Sequence, residues 1–348
     1  MKPWQIIQQL EGNNSRTFKE QLIEAQATAG NDEFFLGVRL ALDNLITFGI
    51  KQVPTSEQEG TGLDWMHFVK IVNRLAARDI TGNAAHIQID ALMRQATCAE
   101  WNGWYRRILI KDLRCGVTEK TINTAVKRAQ KPRYAIPVFE CQLAHDSANH
   151  QGKLTGQRQI ETKLDGVRVL TVVYPGGRVD QYSRNGKTLE NFPHIRQQFE
   201  QAAAVWNLAE PWVFDGEVMS ASFQDLMRQV YRKENVQSSD AILYVFDCLP
   251  LRLFSQGRCD TPQYQRTSQV HLFHQAIATN SPNIRVLENE TVDLDTDQGQ
   301  QRFRELNAAA IAGGYEGIML KDVDAPYECK RSTAWLKLKP WIEVSLTV

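Results

Sequence analysis

The run 159–174, "QIETKLDGVRVLTVVY", is apolar and β-rich, with Lys163 near its start, Asp165-Gly166 two residues on and Arg168 five residues later. Thr162, Leu164, Val167 and Val169 follow the alternation of a half-buried strand. A lysine at the lip of such a strand, followed by a turn dipeptide, has two readings. Either this is a hairpin carrying a solvated lysine, or Lys163 is a nucleophile presented by the strand. The rest of the chain decides between them.

With 348 residues, 43% apolar and 23% charged, the chain is long enough for two domains with separate cores and has the composition of an ordinary globular protein. No apolar run reaches membrane-spanning length, and "MKPWQIIQQLEG" lacks the apolar stretch of a signal peptide. Cys98, Cys115, Cys141, Cys248, Cys259 and Cys329 form no C-x-x-C pair, so neither a zinc site nor a disulfide framework is expected, and the default compartment is a reducing cytoplasm. The net charge is zero, but the charges are segregated. Residues 1–100 are net acidic, whereas 106–133 hold nine Lys/Arg against Asp112 and Glu119. Such a cluster reads as a phosphate-backbone footprint or as a solvated helical face.

Apolar residues at three- and four-residue spacing predict helices at "SRTFKEQLIEAQA", "DEFFLGVRLALDNLI", "DWMHFVKIVNRLAAR" and "AEWNGWYRRILIKDL". In "KDLRCGVTEKTINTAVKRA", Gly116 suits a helix C′ position and Thr118 the next N-cap, which gives two helices meeting at a tight turn within the basic cluster. "KPRYAIPVF" reads as a linker. Beyond it the pattern turns to strands, at "QIETKLDGVRVLTVVY", "RVDQYS", "PWVFDGEVM", "AILYVFDCLPL", "YEGIMLKD" and "AWLKLKP", with "PGG" as a hairpin signal and helices at 261–278 and 297–314. The expectation is an all-helical domain over 1–132, followed over 133–348 by an α+β domain built on antiparallel sheet.

K-x-D-G alone arises by chance in roughly 4% of chains this long. Here it leads an ordered series: "SRNGK" (183–187), "FDGEV" (214–218), "LYVFD" (243–247), "EGIMLK" (316–321) and "WLKLKP" (335–340). This series resembles the motifs of the covalent nucleotidyltransferases, specifically the ATP-dependent DNA ligases with an ATP-grasp-like catalytic domain. "LAARDITGNAA" (75–85) and "ILIKDLRCGVTEKTIN" (108–123) resemble the helical DNA-binding domain of bacteriophage-type ligases, and "QLA" (142–144) resembles the segment entering their core.

The chemistry accounts for the residue types. An amine can take AMP from ATP as a phosphoramidate and pass it on, dividing one hard step into easier ones. A free lysine is only about 0.1% neutral near pH 7.4, so Lys163 is expected among cations (Arg168, Arg184, Lys321, Lys337, Lys339) and partly buried, both of which favour the neutral amine. The resemblance implies that Arg168 and Arg184 contact the nucleotide sugar or the DNA phosphate. It also implies that Lys321, Lys337 and Lys339 serve the nucleotide, the last two at the α-phosphate, and that Phe246 stacks on adenine while Glu161 contacts it. Mg²⁺ needs oxygen ligands, for which Glu217 and Glu316, each beside a glycine, are the candidates; Glu217 is also expected to contact the nucleotide, and Asp215 reads as a support of the site or of a turn. Lys111, Arg114, Lys120, Arg184 and Lys187 are the candidate DNA contacts.

The function these expectations imply is ATP-dependent sealing of nicks in duplex DNA, by a monomer, through a lysine–AMP intermediate, in replication, repair or recombination. Capping enzymes and RNA ligases share K-x-D-G but lack the helical domain, and NAD-dependent ligases carry a cysteine zinc finger that has no counterpart here. A non-catalytic DNA-binding scaffold would be signalled by loss of the lysine or a metal carboxylate; all are present. The resemblance also implies an OB-fold after "WLKLKP", for which "WIEVSLTV" supplies one strand at most, so the chain is either a natural minimal form or truncated, and truncation is the favoured reading.

Overall fold

A computed structural model describes residues 1–50, 52–220 and 240–339. The chain forms two compact units, Met1–Phe139 and Glu140–Val348.

The first unit is built from helices α1 (Pro3–Gly12), α2 (Arg16–Thr28), α3 (Asp32–Leu42), α4 (Trp65–Ala77), α5 (Gly82–Gln95), α6 (Cys98–Glu100), α7 (Arg106–Leu109) and α8 (Glu119–Arg128), with a π-helical turn at Trp101–Tyr105. Their starts are fixed by side-chain oxygens that accept otherwise unpaired backbone N–H groups: Ser15, Asn31, Asp64 and Thr97 cap α2, α3, α4 and α6. The apolar stripes meet around Phe34, Phe68, Trp101 and Trp104, all buried. Tyr134 and Ile136, from the segment read as a linker, join the same core.

One expected turn is different. The helix before the basic cluster ends at Leu109, and Lys111, not Gly116, takes the left-handed conformation just past its end (φ 60°). Thr118 does cap α8, in a reciprocal box with Thr121. The two helices are therefore separated by an irregular connection, with Arg114 (φ 52°) and Gly116 (φ 66°) also left-handed, and do not meet at a tight turn.

The second unit contains β1 (Leu143–Asp146), β2 (Gln157–Thr162), β3 (Val167–Val173), β4 (Val179–Ser183), β5 (Trp212–Met219), β6 (Ile242–Pro250), β7 (Arg258–Cys259), β8 (Ile284–Val286), β9 (Asn289–Asp293), β10 (Ile318–Asp322), β11 (Tyr327–Glu328) and β12 (Arg331–Leu338). Helices α9 (Pro193–Trp206), α10 (Leu251–Ser255), α11 (Gln263–Gln275) and α12 (Asp297–Ala312) lie between them. Two five-stranded sheets run β1-β12-β10-β2-β9 and β4-β3-β5-β6-β8, with a small β11-β7 pair. The expected antiparallel architecture needs correction: β1 runs parallel to β12 and β6 parallel to β8, so both large sheets are mixed.

The opening run is corrected as well. It is neither one strand nor a hairpin, because β2 and β3 belong to different sheets. Lys163 to Gly166 form the crossing between them. In β2, residues 158–161 are all buried: Ile160 joins the apolar core with Leu320, Leu336 and Ala310 on one face, while Gln159 and Glu161 share the opposite face. Each fully buried aliphatic side chain of this kind contributes about 1.5–3 kcal/mol. Gly166 follows from the same crossing: a Cβ there would lie 2.2 Å from the Val218 carbonyl oxygen, so the strand passes only if the residue is glycine. "WIEVSLTV", read as the opening of a further domain, lies outside the described residues. No helix among the described residues is long and apolar enough to cross a membrane.

Candidate active site

The two large sheets of the second unit enclose a cavity of ≈ 590 Å³. The first contributes Glu161, Lys321, Trp335 and Lys337; the second contributes Arg168, Glu217 and Phe246. Lys163, Arg184, Lys187 and Lys339 line it from the connecting segments. All the residues expected to serve the nucleotide are thereby brought together.

The cavity is graded from buried to exposed. At its buried end Lys321 (1% exposed) donates to Glu161 Oε1 at 2.8 Å and to the Phe246 carbonyl at 3.1 Å. The Lys321 ammonium lies 4.7 Å from the Phe246 ring centre and 4.5 Å from that of Trp335, and the two rings meet edge to face at 5.9 Å. Burial pushes the Glu161 carboxyl up, to about 7, while the charge and hydrogen bond of Lys321 pull the other way. On the opposite wall, Arg168 is held by Asp215 through two hydrogen bonds of 2.8 and 2.6 Å, and its guanidinium lies 5.4 Å from the Phe246 ring centre. Tyr327 donates to the same carboxylate at 2.6 Å. Asp215, read as a support of the site or of a turn, fixes Arg168.

At the exposed end stands Lys163. It lies just past the end of β2, but its backbone N–H still donates to the Gly317 carbonyl at 2.9 Å, which fixes the stem of the side chain. Gly317 (φ 122°) is left-handed, and a Cβ on it would sit 2.1 Å from the Leu338 carbonyl oxygen. The Lys163 ammonium donates to Glu316 Oε2, and Lys339 reaches the same oxygen at 2.9 Å. The cations expected around Lys163 line the same cavity, but the group its ammonium contacts is a carboxylate, which the sequence reading did not pair with it. Burial pushes the Glu316 carboxyl up, but the hydrogen bonds from Lys163 and Lys339 together hold it below the usual range.

Glu217 is placed differently. Its carboxyl accepts from the Gly166 N–H at 3.2 Å, and burial raises it to about 7 despite Arg168 and Lys163 nearby. A desolvated carboxyl lining a cavity rich in cationic side chains and open to a phosphate suits a bound cation. Among the described residues no cluster of three metal-binding side chains occurs, yet Mg²⁺ characteristically takes one or two carboxylates and completes its shell with water and substrate phosphate. Glu217 and Glu316 fit that donor set.

The candidate DNA contacts divide. Arg184 and Lys187 are exposed and line the cavity. Arg114 and Lys120 are exposed in the helical unit. Lys111 is corrected: its ammonium donates to the Leu40 and Asp43 carbonyls at 2.8 and 2.6 Å, closing the end of α3, and burial lowers its pKa to about 8. Its neighbours Arg106 and Arg107 likewise donate to backbone carbonyls, of Val53 and Leu113. Trp335 and Arg331, which also line the cavity, were not singled out by sequence; Trp335 opens the quoted "WLKLKP", which was the available signal.

Residues 141–339 match the family model described as the ATP dependent DNA ligase domain. The chain belongs to the ATP-dependent DNA ligase domain family. Every residue lining the ligase-domain cavity falls inside the matched segment. Among curated proteins, the DNA ligase of Natronomonas pharaonis is 30% identical over 201 residues, covering 54% of this chain and 33% of that protein. That of Halobacterium salinarum is 31% identical over 199 residues, covering 53% and 32%. The chain thus spans about a third of the length of these relatives. A solved structure named "Pmar-Lig_PreS3" is 51% identical, covers 98% of this chain and 79% of its own, and superposes with a TM-score of 0.63.

Proposed function

We propose that this chain seals nicks in duplex DNA with ATP, and that the cavity between the two sheets is its nucleotidyl-transfer centre. The observation that carries this reading is the position of Lys163: its amine stands at the cationic, exposed end of a cavity whose buried end is aromatic, so a flat base and a polyphosphate are matched at opposite ends.

In the first step the Lys163 Nζ lone pair attacks the α-phosphorus, the bond to the bridging oxygen breaks, and pyrophosphate leaves with that electron pair. Lys163 must first shed a proton to solvent, and Glu316 Oε2, already in contact with it, holds the amine in place. Lys337 and Lys339 offset the charge on the non-bridging oxygens. Phe246 and Trp335 hold the base, and Arg168, fixed by Asp215, presents a rigid cation to the sugar side. Mg²⁺, held by Glu217 and Glu316, would neutralise phosphate charge. In the next steps an oxygen of the DNA 5′-phosphate takes AMP from Lys163, and the 3′-hydroxyl displaces AMP.

Residues 1–132 are proposed as the DNA-binding part, with Arg114 and Lys120 on phosphates, and 133–348 as the adenylation part; Arg184 and Lys187 extend the DNA contacts to the rim of the cavity. The test is incubation of the full chain with α-labelled ATP and Mg²⁺, followed by peptide mapping. Label on Lys163 that chases into a nicked duplex is expected. Label on another residue, or none, overturns the reading.

A further inference from the structure

Behind the base end of the cavity lies a run of buried polar side chains whose hydrogen bonds all point one way. Gln263, the first residue of α11, is fully buried. Its Oε1 accepts from the Trp335 indole N–H at 2.9 Å and from Arg266 Nη2 at 2.8 Å. Both partners can only donate, so the orientation of the amide is fixed and its Nε2 must be the donor. It donates to Asp247 Oδ2 at 3.1 Å and to Thr267 Oγ1 at 3.2 Å. The Thr267 hydroxyl, already accepting, donates to Gln159 Oε1 at 2.9 Å. That in turn fixes the Gln159 amide, whose Nε2 donates to Glu161 Oε1 at 3.4 Å. Lys321 donates to the same oxygen. Gln159, Glu161, Thr267 and Lys321 are each at most 9% exposed, so water does not compete for these bonds.

We propose that Gln263, Thr267 and Gln159 are positioning residues that set which purine the cavity accepts. The relay and Lys321 converge on Glu161 Oε1, so Glu161, which lines the cavity, meets the base as an acceptor. An acceptor there pairs with a purine bearing a 6-amino donor and opposes one bearing a 6-oxo acceptor. A site built around such a buried polar group discriminates strongly, because the wrong partner leaves the group unpaired. Thr267 and Gln159 fix its direction without touching the nucleotide. The inference rests on the proposal that the cavity binds ATP.

The experiment uses Thr267→Val, which keeps shape and removes the hydroxyl, Thr267→Ser, which keeps it, and Gln159→Met, which removes the amide. Calorimetric binding of ATP and GTP to the full chain is measured at pH 8, where Glu161 is ionised, beside covalent labelling from each α-labelled nucleotide. Thr267→Val and Gln159→Met are expected to lose about tenfold of the ATP-over-GTP preference, the scale of one buried hydrogen bond. Their labelling rate at saturating ATP should be retained, and Thr267→Ser should keep the wild-type preference. Either of the first two variants, folded by its circular dichroism melt yet with wild-type preference, overturns the proposal. So does a wild-type chain that prefers neither nucleotide. A wild-type chain that binds ATP over GTP, shows the expected variant pattern and takes no label supports the relay and overturns only the lysine chemistry.

Discussion

Lys339 Nζ stands 2.9 Å from Glu316 Oε2, the same oxygen that accepts from Lys163. One carboxylate therefore restrains both the candidate nucleophile and a candidate phosphate-binding cation. Glu316→Gln removes the shared anion that positions both. It is expected to lower the rate of Lys163 labelling by about 100-fold, the scale of misplacing a reacting group by about an ångström. Single-turnover labelling with saturating ATP checks this; a wild-type rate would make Glu316 a structural residue.

Lys163→Ala and Lys163→Arg should both abolish the covalent adenylate, since alanine has no amine and arginine stays protonated. Lys163→Arg retains the positive charge facing Glu316 and is expected to keep the fold. Denaturing electrophoresis of labelled protein beside a thermal melt separates the two effects, and label at wild-type level in either variant refutes the assignment.

Gly166→Ala should cost about 1–3 kcal/mol of stability, typical of forced overpacking, because its Cβ meets the Val218 carbonyl. The displaced crossing also carries Lys163, so labelling should fall more than the melting temperature alone explains. Unchanged denaturant midpoints would show that the crossing relaxes freely.

Within the basic cluster, Lys111→Met is expected to destabilise the helical unit by about 1–3 kcal/mol, because the Leu40 and Asp43 carbonyls lose their donor. The salt dependence of DNA binding should stay as it was. Neutralising Arg114 and Lys120 should do the reverse, lowering the salt slope by about one for each DNA phosphate left without its cation. Fluorescence anisotropy on a nicked duplex across a salt series distinguishes them.

Glu217 sets a pH dependence. Its folded-state pKa of about 7 lies above the unfolded value, so the folded chain holds a proton that the unfolded chain releases. Stability from this group is full below the unfolded pKa and declines as pH rises towards 7. Glu217→Gln should flatten that decline. Since Mg²⁺ needs the ionised carboxylate, its stabilisation of the wild type should be larger at pH 8 than at pH 6. Melting curves with and without Mg²⁺ at the two pH values test both signs.

The helices and strands were largely legible because their periods are local: α4 and α12 match their apolar spacing, and β5, β6, β10 and β12 fall on the quoted motifs. The change of sheet at Lys163–Gly166 was missed although a signal was there: Leu164 and Val167 are three residues apart, which breaks the period of two by which the run was read as one strand. The residues that line the cavity were legible as residue types, but their pairings were not. Lys111 reads as one more basic residue until the Leu40 carbonyl is seen against it, and nothing local in "YEGIM" says that Glu316 will meet Lys163. Gln159, Thr267 and Gln263 carry no motif; their link exists only where β2 and α11 pack.

Because the walls of the cavity belong to different sheets, a nucleotide spanning them would act as mortar between two β-layers that are covalently stitched at the candidate nucleophile. Ligand binding and the cohesion of the unit are then one equilibrium. ATP at 100 times its dissociation constant would add about 2.7 kcal/mol against unfolding, so the melting temperature of the unit would itself report occupancy of the cavity.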